Sequence, residues 1–447
     1  MSESSKLIQP RVLKGFRDFP PDKMLPREAL IDVARRVYRS FGFAPIDTPC
    51  LEYFEILAGK GSDETDRQMY QFFDHGDRHV GLRFDLTVPL ARFVAQHAHE
   101  IGMPFKRYHI ATVWRGEKNQ AGRYREFMQC DFDTIGTRSL ASDTEMILVV
   151  DHLMRAVGFE RFQIRVNNRK VLNGLLDKFG VGHLAAGVLR AVDKLPKLGP
   201  AAVREELISF EGISAEAVEQ VLGLASLQGS NQEILDQLDR IAAGNELAET
   251  GTHELRQVLE WSAAAGVCEP TIRLDIAIAR GLDYYTGTII ETFLDDLPSI
   301  GSVCSGGRYD QLAELFTKEQ LPGVGASLGL DRLLAAMEEL KMLPAVQTPA
   351  EVLIAQFDSG LLPKYLRLAD QLRRRGFAVE VFPEARKLVH QFKYADRRGF
   401  RAVIVVGANE AATNKVQVKW MADGSQVELD WDAELLHVTQ WLSDRLR

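Results

Sequence analysis

Residues 271–293 constrain this chain more than any other stretch, because two strand-like runs there enclose a small cluster of polar side chains. In the first run, residues 272–278, isoleucine or leucine occupies every second position, which is typical of a half-buried β-strand. In the second run, residues 288–292, β-branched residues predominate. Between the runs lie Arg280, Gly281, Tyr284 and Tyr285. We predict that the two strands form a wall and that the polar ends of the side chains between them point to one site. The alternative is a hairpin with ordinary core tyrosines.

Length and composition limit the class of protein. A chain of 447 residues is expected to form two or three domains, and 46% hydrophobic with 26% charged residues is typical of globular proteins. No apolar run reaches membrane-spanning length and the first fifteen residues lack a secretory signal, so we expect a cytoplasmic protein. The four cysteines are far apart, without a CxxC pair, which argues against a zinc ribbon or a disulfide framework.

Charge is distributed unevenly along the chain. The formal net charge is −8, but residues 361–420 contain thirteen Lys and Arg against five Asp and Glu. Residues 181–260 contain six against thirteen. This asymmetry predicts that a nucleic-acid backbone is bound near the C-terminus, because phosphate contacts need clustered cations. The alternative is a solvated charged face.

A helix and a strand are predicted near the N-terminus. The apolar positions with helical spacing are Leu30, Val33, Ala34, Val37 and Tyr38. The helix should end at residues 41–43, and a strand should follow and end at Thr48-Pro49. By itself, this pattern indicates only a helix packed on a sheet.

Residues 81–96 have the pattern of a strand running into a helix, with Pro89 near the helix start. Asp85 and Thr87 lie two positions apart, so on a strand they would share one face. A carboxylate and a hydroxyl together could hold an ammonium group, which carries three donors and no acceptor. The alternative is that Asp85 is a turn or cap residue.

Residues 105–136 predict two strands that flank a polar loop. Four basic residues crowd the loop end: Arg115, Lys118, Arg123 and Arg125. They could meet a triphosphate, because guanidinium groups match phosphate oxygens, and Phe127 offers a flat face for a base. Gln129, Asp131 and Asp133 alternate, so they should share one face of the second strand. Charge on a solvent-facing strand is the alternative for all of them.

The remaining segments complete the organisation. Residues from about 175 to 265 have helical spacing, with breaks near 197–200 and 229–231. Residues 323–340 predict a tight strand followed by a helix, with Arg332 at the helix start, where a cation opposes the helix dipole. A bound phosphate or base would explain this cation; a surface salt bridge is the alternative.

After a linker at Thr348-Pro349, buried strands alternate with helices, which predicts a small α/β domain with a largely parallel core. The VVGANE segment is a strand followed by a turn and lacks the GxGxxG spacing of a dinucleotide site.

Five of these segments, in order, resemble the histidyl-tRNA synthetases. RGLDYYTGT and SVCSGGRYDQL are similar to their two histidine-specific signatures, and the segments around 30–49, 105–136 and 323–340 resemble motifs 1, 2 and 3 of class II synthetases. The resemblance covers nearly the whole chain. It implies an α/β (α+β) fold: a catalytic domain on a mostly antiparallel sheet flanked by helices, a helical insertion, and a C-terminal α/β anticodon-binding domain. The implied boundaries are 1–173 and 266–345 for the catalytic core, 174–265 for the insertion and 349–447 for the anticodon-binding domain.

The resemblance also implies a reaction and its partners. L-histidine would be activated by ATP, with Mg²⁺, to histidyl-adenylate and pyrophosphate, and then transferred to the 3' end of tRNA(His) by a homodimer. Arg280 and Arg115 would be catalytic. Histidine would be bound by Asp85, Thr87, Arg115, Gln129, Asp133, Arg280, Tyr284 and Tyr285. ATP would be bound by Arg115, Glu117, Arg123, Phe127 and Arg332. Glu117 could hold Mg²⁺, and no metal site made of protein ligands alone is expected.

Selection of histidine requires recognition of an imidazole, which in its neutral form has one donor and one acceptor. By the resemblance, Asp133 accepts from the donor nitrogen and Tyr285 donates to the other. Such a site rejects analogues that leave its hydrogen bonds unmade by a factor of about 10⁴ or more.

Two other functions agree with part of the pattern. One is a regulatory paralogue of the synthetase that senses histidine and acylates nothing; such proteins typically lack the C-terminal domain and parts of the signatures, which this chain has. The other is a synthetase for another amino acid, such as proline or threonine, against which the RGLDYY and SGGRYD segments argue.

Overall fold

The fold is taken from a computed structural model that describes residues 8–58, 63–118, 123–278, 285–343, 346–432 and 434–446. The chain divides into two compact units. The first unit contains the described residues up to Arg17 together with Leu30–Lys341. The second unit contains Asp18–Ala29 and the described residues from Met342 onward.

Helices cover much of both units. They are α1 (Pro21–Ser40), α2 (Phe54–Leu57), α3 (Asp63–Gln68), α4 (Thr87–Ile101), α5 (Leu140–Val157), α6 (Arg169–Lys178), α7 (Ala185–Val192), α8 (Leu195–Ile208), α9 (Ala215–Ala225), α10 (Asn231–Ala242), α11 (Glu246–Ala264), α12 (Leu330–Glu339), α13 (Leu362–Arg373), α14 (Leu388–Arg398), α15 (Ala408–Thr413) and α16 (Leu436–Leu446). Among the residues searched, none of these helices combines the length and the apolar character needed to cross a bilayer.

The strands are short to medium in length. They are β1 (Ala44–Pro45), β2 (Leu51–Tyr53), β3 (Gln71–Phe73), β4 (His79–Leu82), β5 (Phe105–Trp114), β6 (Glu126–Ile135), β7 (Phe162–Asn168), β8 (Ile272–Leu274), β9 (Thr288–Leu294), β10 (Cys304–Tyr309), β11 (Gly323–Gly329), β12 (Val352–Ala355), β13 (Val379–Val381), β14 (Ala402–Val405), β15 (Lys415–Trp420) and β16 (Gln426–Asp430). The strand predicted to end at Thr48 is therefore shorter than expected, since β1 ends at Pro45.

The first unit is built on a large sheet. Within the described residues its strand order is β1-β5-β6-β11-β10-β9-β7-β8, and every neighbouring pair except β1–β5 and β7–β8 is antiparallel. The mostly antiparallel sheet flanked by helices is the predicted fold class. Strands β2, β4 and β3 form a separate small antiparallel sheet.

The two runs that frame the signature stretch do not form a hairpin, because β7 lies between β8 and β9. The alternation in 272–278 predicts burial correctly, but β8 ends at Leu274. The backbone carbonyls of Ile276 and Ile278 then accept hydrogen bonds from the buried Asn167 side chain, at 3.2 and 3.0 Å. A side chain of β7 thus replaces the ladder bonds that a neighbouring strand would supply, which the local pattern could not reveal.

Helices α6 to α11 fill residues 169–264, in agreement with the helical texture predicted there. The predicted break near 197–200 is a kink inside α8, where Gly199 has φ 76°. The break near 229–231 is the loop between α9 and α10, and Ser230 caps α10 together with Glu233.

The second unit contains the small α/β domain. Strands β13, β12 and β14 are parallel neighbours, as predicted, but β15 and β16 extend the sheet in the antiparallel direction, giving the order β13-β12-β14-β15-β16 among the described residues. The core between this small α/β sheet and its helices is apolar; Val352, Ile354 and Tyr365 are fully buried in it.

Candidate active site

A cavity of about 390 Å³ opens in the first unit, beside the middle strands of the large sheet. Side chains from β6, β10 and β11 line it, together with the loop before α4, the loop after β5 and the start of α12. Most of the predicted site residues face it: Asp85, Thr87, Arg115, Glu117, Arg123, Phe127, Gln129, Asp133, Tyr285 and Arg332. Arg280 and Tyr284 lie outside the described residues.

Strand β6 forms the acidic wall of the cavity. Gln129, Asp131 and Asp133 share the face that lines it, as the alternation predicts. Asp133 lies opposite Gly325 of β11, and a Cβ atom at that glycine would be only 1.9 Å from Asp133 Oδ1. Gly325 therefore makes room for the Asp133 carboxylate.

Asp133 is held by two residues to which the sequence analysis assigned no role. Its Oδ2 lies 2.8 Å from Nη2 of Arg107, which is fully buried, and its Oδ1 accepts a hydrogen bond from the Tyr309 hydroxyl. Burial raises the pKa of Asp133, while the Arg107 charge and the Tyr309 bond lower it. The register could have indicated Arg107, since it lies directly opposite Asp133 on β5.

Asp85 and Thr87 face the cavity, but not from a strand. Strand β4 ends at Leu82 and α4 begins at Thr87, so the predicted shared strand face is wrong. Asp85 Oδ1 accepts hydrogen bonds from the backbone N–H groups of Thr87 and Val88, at 3.0 and 2.9 Å. Asp85 therefore caps α4 with one oxygen while its carboxyl group lines the cavity. Burial raises its pKa.

Tyr285 lies in the cavity wall near the carboxylates. Burial, and next the charge of Asp133, raise the pKa of its hydroxyl above the ordinary tyrosine value. The phenol therefore stays protonated at neutral pH and can donate a hydrogen bond. A Cβ atom at Gly307 would lie 3.0 Å from its ring, so this glycine of the second signature lets Tyr285 pack closely against β10.

The other end of the cavity carries arginines and aromatic rings. Arg115 Nε donates to the Phe84 carbonyl at 3.1 Å, and the guanidinium carbon lies 4.4 Å from the Phe84 ring centre and 5.1 Å from that of Phe127. The Arg115 plane is thus oriented by the chain itself. Glu117 Oε2 is 3.7 Å from Arg123 Nη1, which places these two predicted ATP residues side by side.

Arg332 is held at the beginning of α12 and lines the cavity. Its Nη1 donates to the Ser302 carbonyl, so a backbone contact orients the predicted cation. The neighbouring Asp331 accepts from the Met128 backbone N–H at 2.8 Å and pairs with Arg17 at 2.5 Å. The Arg17 guanidinium also lies 3.7 Å from the Tyr124 ring centre. These contacts fix α12 to the end of β6.

The described residues contain no cluster of three or more His, Cys, Asp or Glu side chains with the geometry of a metal site. Glu117 is a carboxylate beside an arginine, so it could contribute one ligand to an ion held mainly by a bound phosphate.

Comparisons with known proteins agree with one another. A family model described as "Histidyl-tRNA synthetase" matches residues 15–333, and one described as "Anticodon binding domain" matches residues 351–438. The histidine–tRNA ligase of Rhodopirellula baltica is 55% identical over 428 residues, 96% of this chain and 97% of that protein. That of Wolinella succinogenes is 46% identical over 435 residues, 96% and 98%. The crystal structure of histidyl-tRNA synthetase from Nostoc sp. PCC 7120 superposes with a TM-score of 0.89 at 36% identity, covering 98% of this chain and all of that one.

Proposed function

The chain belongs to the histidyl-tRNA synthetase family, and from this we infer that it is a histidine–tRNA ligase. It activates L-histidine with ATP to histidyl-adenylate and releases pyrophosphate, and it then transfers histidine to the 3' end of tRNA(His). The observation that supports this most strongly is one cavity with an acidic wall at one end and oriented arginines at the other.

The acidic end is suited to an amino acid that carries an imidazole. We assign the amino group of histidine to Asp85, Thr87 and Gln129, whose oxygens accept hydrogen bonds. We assign the imidazole to Asp133 and Tyr285, because a carboxylate can accept from one ring nitrogen and a phenol can donate to the other. Burial raises the pKa of Asp133, and the Arg107 contact opposes that rise by favouring the ionised carboxylate, which supports its role as the acceptor.

The arginine end is suited to ATP. Activation is an in-line attack of the histidine carboxylate on the α-phosphate, and such a step depends on positioning and on cations that meet the developing charge. Arg115, oriented by the Phe84 carbonyl, would lie between the carboxylate and the α-phosphate. Arg280 would supply a second charge at the reacting atoms. Arg123, Phe127 and Arg332 would bind the outer phosphates and adenine, and Glu117 would contact adenine.

Mg²⁺ would neutralise part of the triphosphate charge when bound with ATP, with Glu117 as a protein ligand in the cavity. An ion that the phosphates bring with them needs only one or two carboxylates from the protein. Arg115 and Arg123 act on the phosphates directly, since guanidinium groups match their oxygens.

The second unit would bind the anticodon end of tRNA(His), and we propose 349–447 as this domain, with 174–265 as an insertion in a catalytic core formed by 1–173 and 266–345. Thirteen basic residues between 361 and 420 supply the charge that a phosphate backbone needs. We further propose a homodimer that works in the cytoplasm. The proposals of a homodimer and of a cytoplasmic location rest on the family resemblance.

Pyrophosphate exchange with each of the twenty amino acids tests this function. We expect exchange with histidine alone, and charging of tRNA(His) but not of other tRNAs. Exchange with proline or threonine would replace histidine by another substrate. Histidine binding without exchange in any condition would identify a regulatory protein and contradict the proposed enzyme.

A further inference from the structure

Asp131 is a buried carboxylate of the cavity wall that the roles assigned above do not use. It lies between Gln129 and Asp133 on β6, lines the cavity and is only 2% exposed. Directly opposite on β11 lies Ser327, which also lines the cavity.

The carboxylates that line the cavity differ in whether a cationic side chain lies close to them. Asp133 has Arg107 at 2.8 Å. In the part of the chain that the structure describes, no cationic side chain lies within 4.0 Å of the carboxylates of Asp131 or Asp85. Two buried carboxylates without a close cation are costly, so they either hold a proton or receive a cation from a ligand.

The hydrogen bonds at this wall leave acceptor atoms unused. Gln129 Nε2 donates to Ser327 Oγ at 2.9 Å, and the Ser327 hydroxyl lowers the pKa of Asp131. This arrangement fixes the Gln129 amide so that Oε1 is its acceptor end. No described residue donates to Gln129 Oε1 or to Asp131 Oδ1, and both atoms are buried. Asp133 Oδ2 also lacks a hydrogen bond but lies beside the Arg107 charge, so Gln129 Oε1 and Asp131 Oδ1 are the acceptors of this strand face with neither a hydrogen bond nor a close cation among the described residues.

We propose that Asp131 is a direct acceptor for the α-ammonium group of histidine, alongside Asp85 and Gln129. The inference rests on the proposed function and extends it by one substrate-binding residue. An ammonium group has three donors and no acceptor. Asp85, Asp131 and Gln129 all line this cavity and offer acceptor oxygens to those donors.

The titration of Asp131 agrees with this geometry. Its pKa is raised to about 7: burial raises it most, Arg107 lowers it, and Asp133 and Asp85 raise it. Without substrate, a proton can therefore occupy the wall near neutral pH, and the ammonium charge can take its place. The titratable or charged groups around Asp131 are Tyr38, Asp85, Arg107, His109, Asp133, Tyr285 and Cys304.

The test compares three inhibitors of histidine-dependent pyrophosphate exchange on each variant of the full chain. L-Histidinol carries both the ammonium and the imidazole. 3-(Imidazol-4-yl)propan-1-ol lacks the ammonium, and L-phenylalaninol lacks the imidazole. The variants are Asp131→Asn and Asp131→Ala, with Asp133→Asn as the matched control on the same strand face. Titration calorimetry replaces inhibition for any variant that does not turn over.

In the wild type, loss of the ammonium should weaken binding strongly. In both Asp131 variants we expect this penalty to be smaller by about tenfold, the size of one hydrogen bond to a charged group. The penalty for losing the imidazole should stay as in the wild type. In Asp133→Asn the penalty for losing the imidazole should become smaller, and the penalty for losing the ammonium should stay as in the wild type. Because each analogue is compared with L-histidinol on the same variant, a reduced folded fraction cancels in the ratio of the two binding constants.

An ammonium penalty that is unchanged in Asp131→Asn and Asp131→Ala would overturn the assignment. A change in the imidazole penalty instead would overturn it as well and would place Asp131 at the ring. If the wild type catalyses exchange with histidine but the ammonium penalty is the same in the Asp131 variants as in the wild type, this inference alone is disproved. A wild type without histidine exchange disproves the proposed function first.

Discussion

The large sheet and the small α/β sheet place charge in opposite ways. The large sheet buries Arg107, Asp131, Asp133 and Arg308, each no more than 3% exposed. Among the described residues from 346 onward, the buried polar side chains are uncharged: Thr348, Gln356 and Gln391. Charge there lies at the surface, as in the exposed pair of Lys415 with Glu428 on β15 and β16.

This contrast follows from what each sheet is proposed to bind. A charge acts most strongly on a reacting group in a cavity that excludes water, but burying it is costly unless it is paired. A nucleic-acid backbone is a long polyanion in solvent, so exposed cations bind it without a burial cost. The buried charges of the large sheet should therefore matter for stability and catalysis together, and the surface charges of the small α/β sheet for tRNA binding alone.

The largest effect is expected from breaking a buried pair. Arg107→Met removes the cation that balances the buried Asp133, so it should lower the free energy of unfolding of the first unit by about 3–5 kcal/mol. Lys415→Met, which breaks the exposed pair, should cause no measurable change. Denaturant unfolding read by hydrogen exchange gives the stability of each sheet separately. Equal effects of the two substitutions would remove the contrast.

The second effect concerns the rate of activation. Arg115→Ala should slow adenylate formation by roughly 10²–10³, about the loss on removing one preorganised donor, and Arg280→Ala should do the same. The lysine variants keep the charge but lose the planar fork, so they should recover only part of the rate. Arg138→Ala is the control, because this exposed arginine bonds Gln320 and does not line the cavity. Single-turnover kinetics with a thermal melt of each variant decides: a normal rate in Arg115→Ala contradicts its role.

Stability should also respond to pH differently in the two sheets. The pKa of Asp131 is raised from 3.8 to about 7 by burial, so the folded protein binds this proton more tightly than the unfolded chain. The free energy of unfolding should therefore fall as the pH rises through this range, by on the order of a few kcal/mol. Asp131→Asn, which cannot titrate, should flatten the decline in melting temperature between about pH 4 and about pH 7.

Asp423 provides the opposite case. Hydrogen bonds from Ser425 lower its pKa below the ordinary value of 3.8, so its contribution is present above that value and is lost only in more acidic solution. Asp423→Asn should leave the same pH profile unchanged. A profile that Asp131→Asn leaves as steep as in the wild type would show that other groups carry the titration.

A smaller effect is expected on substrate affinity. Asp133→Ala should raise the Michaelis constant for histidine by about 10- to 100-fold, the cost of one charged hydrogen bond, with that for ATP little changed. Exchange kinetics with each substrate varied separately measures both constants. Equal increases for histidine and ATP would point to general distortion of the cavity rather than loss of an imidazole contact.

The smallest effects are expected on the surface of the second unit. Lys387, Lys393 and Arg397 are all exposed, and neutralising them should weaken tRNA(His) charging several-fold. The slope of the logarithm of tRNA affinity against the logarithm of salt concentration should become smaller by roughly one unit for each phosphate contact that is lost. Histidine activation should not change. Arg190→Gln and Arg240→Gln, equally exposed in the acidic helical region, are the controls. Equal weakening by the controls would mean that overall charge, not this surface, binds the tRNA.

The sequence by itself predicted the features that depend on local periodicity. The alternation of Gln129, Asp131 and Asp133 predicted their common face, because successive side chains of a strand point to opposite sides. Helical spacing predicted the helices between 169 and 264, and the alternation of strands and helices after residue 348 predicted the small α/β domain. The order of the signatures predicted the family.

Only the tertiary structure decided which distant segments meet. It inserted β7 between β8 and β9, placed Arg107 against Asp133, and set Asp85 as the cap of α4 rather than on a strand. It also added the antiparallel strands β15 and β16 to a sheet predicted to be largely parallel. A periodic pattern determines which side of an element is buried, but strand neighbours and ion-pair partners depend on register between segments far apart in the chain.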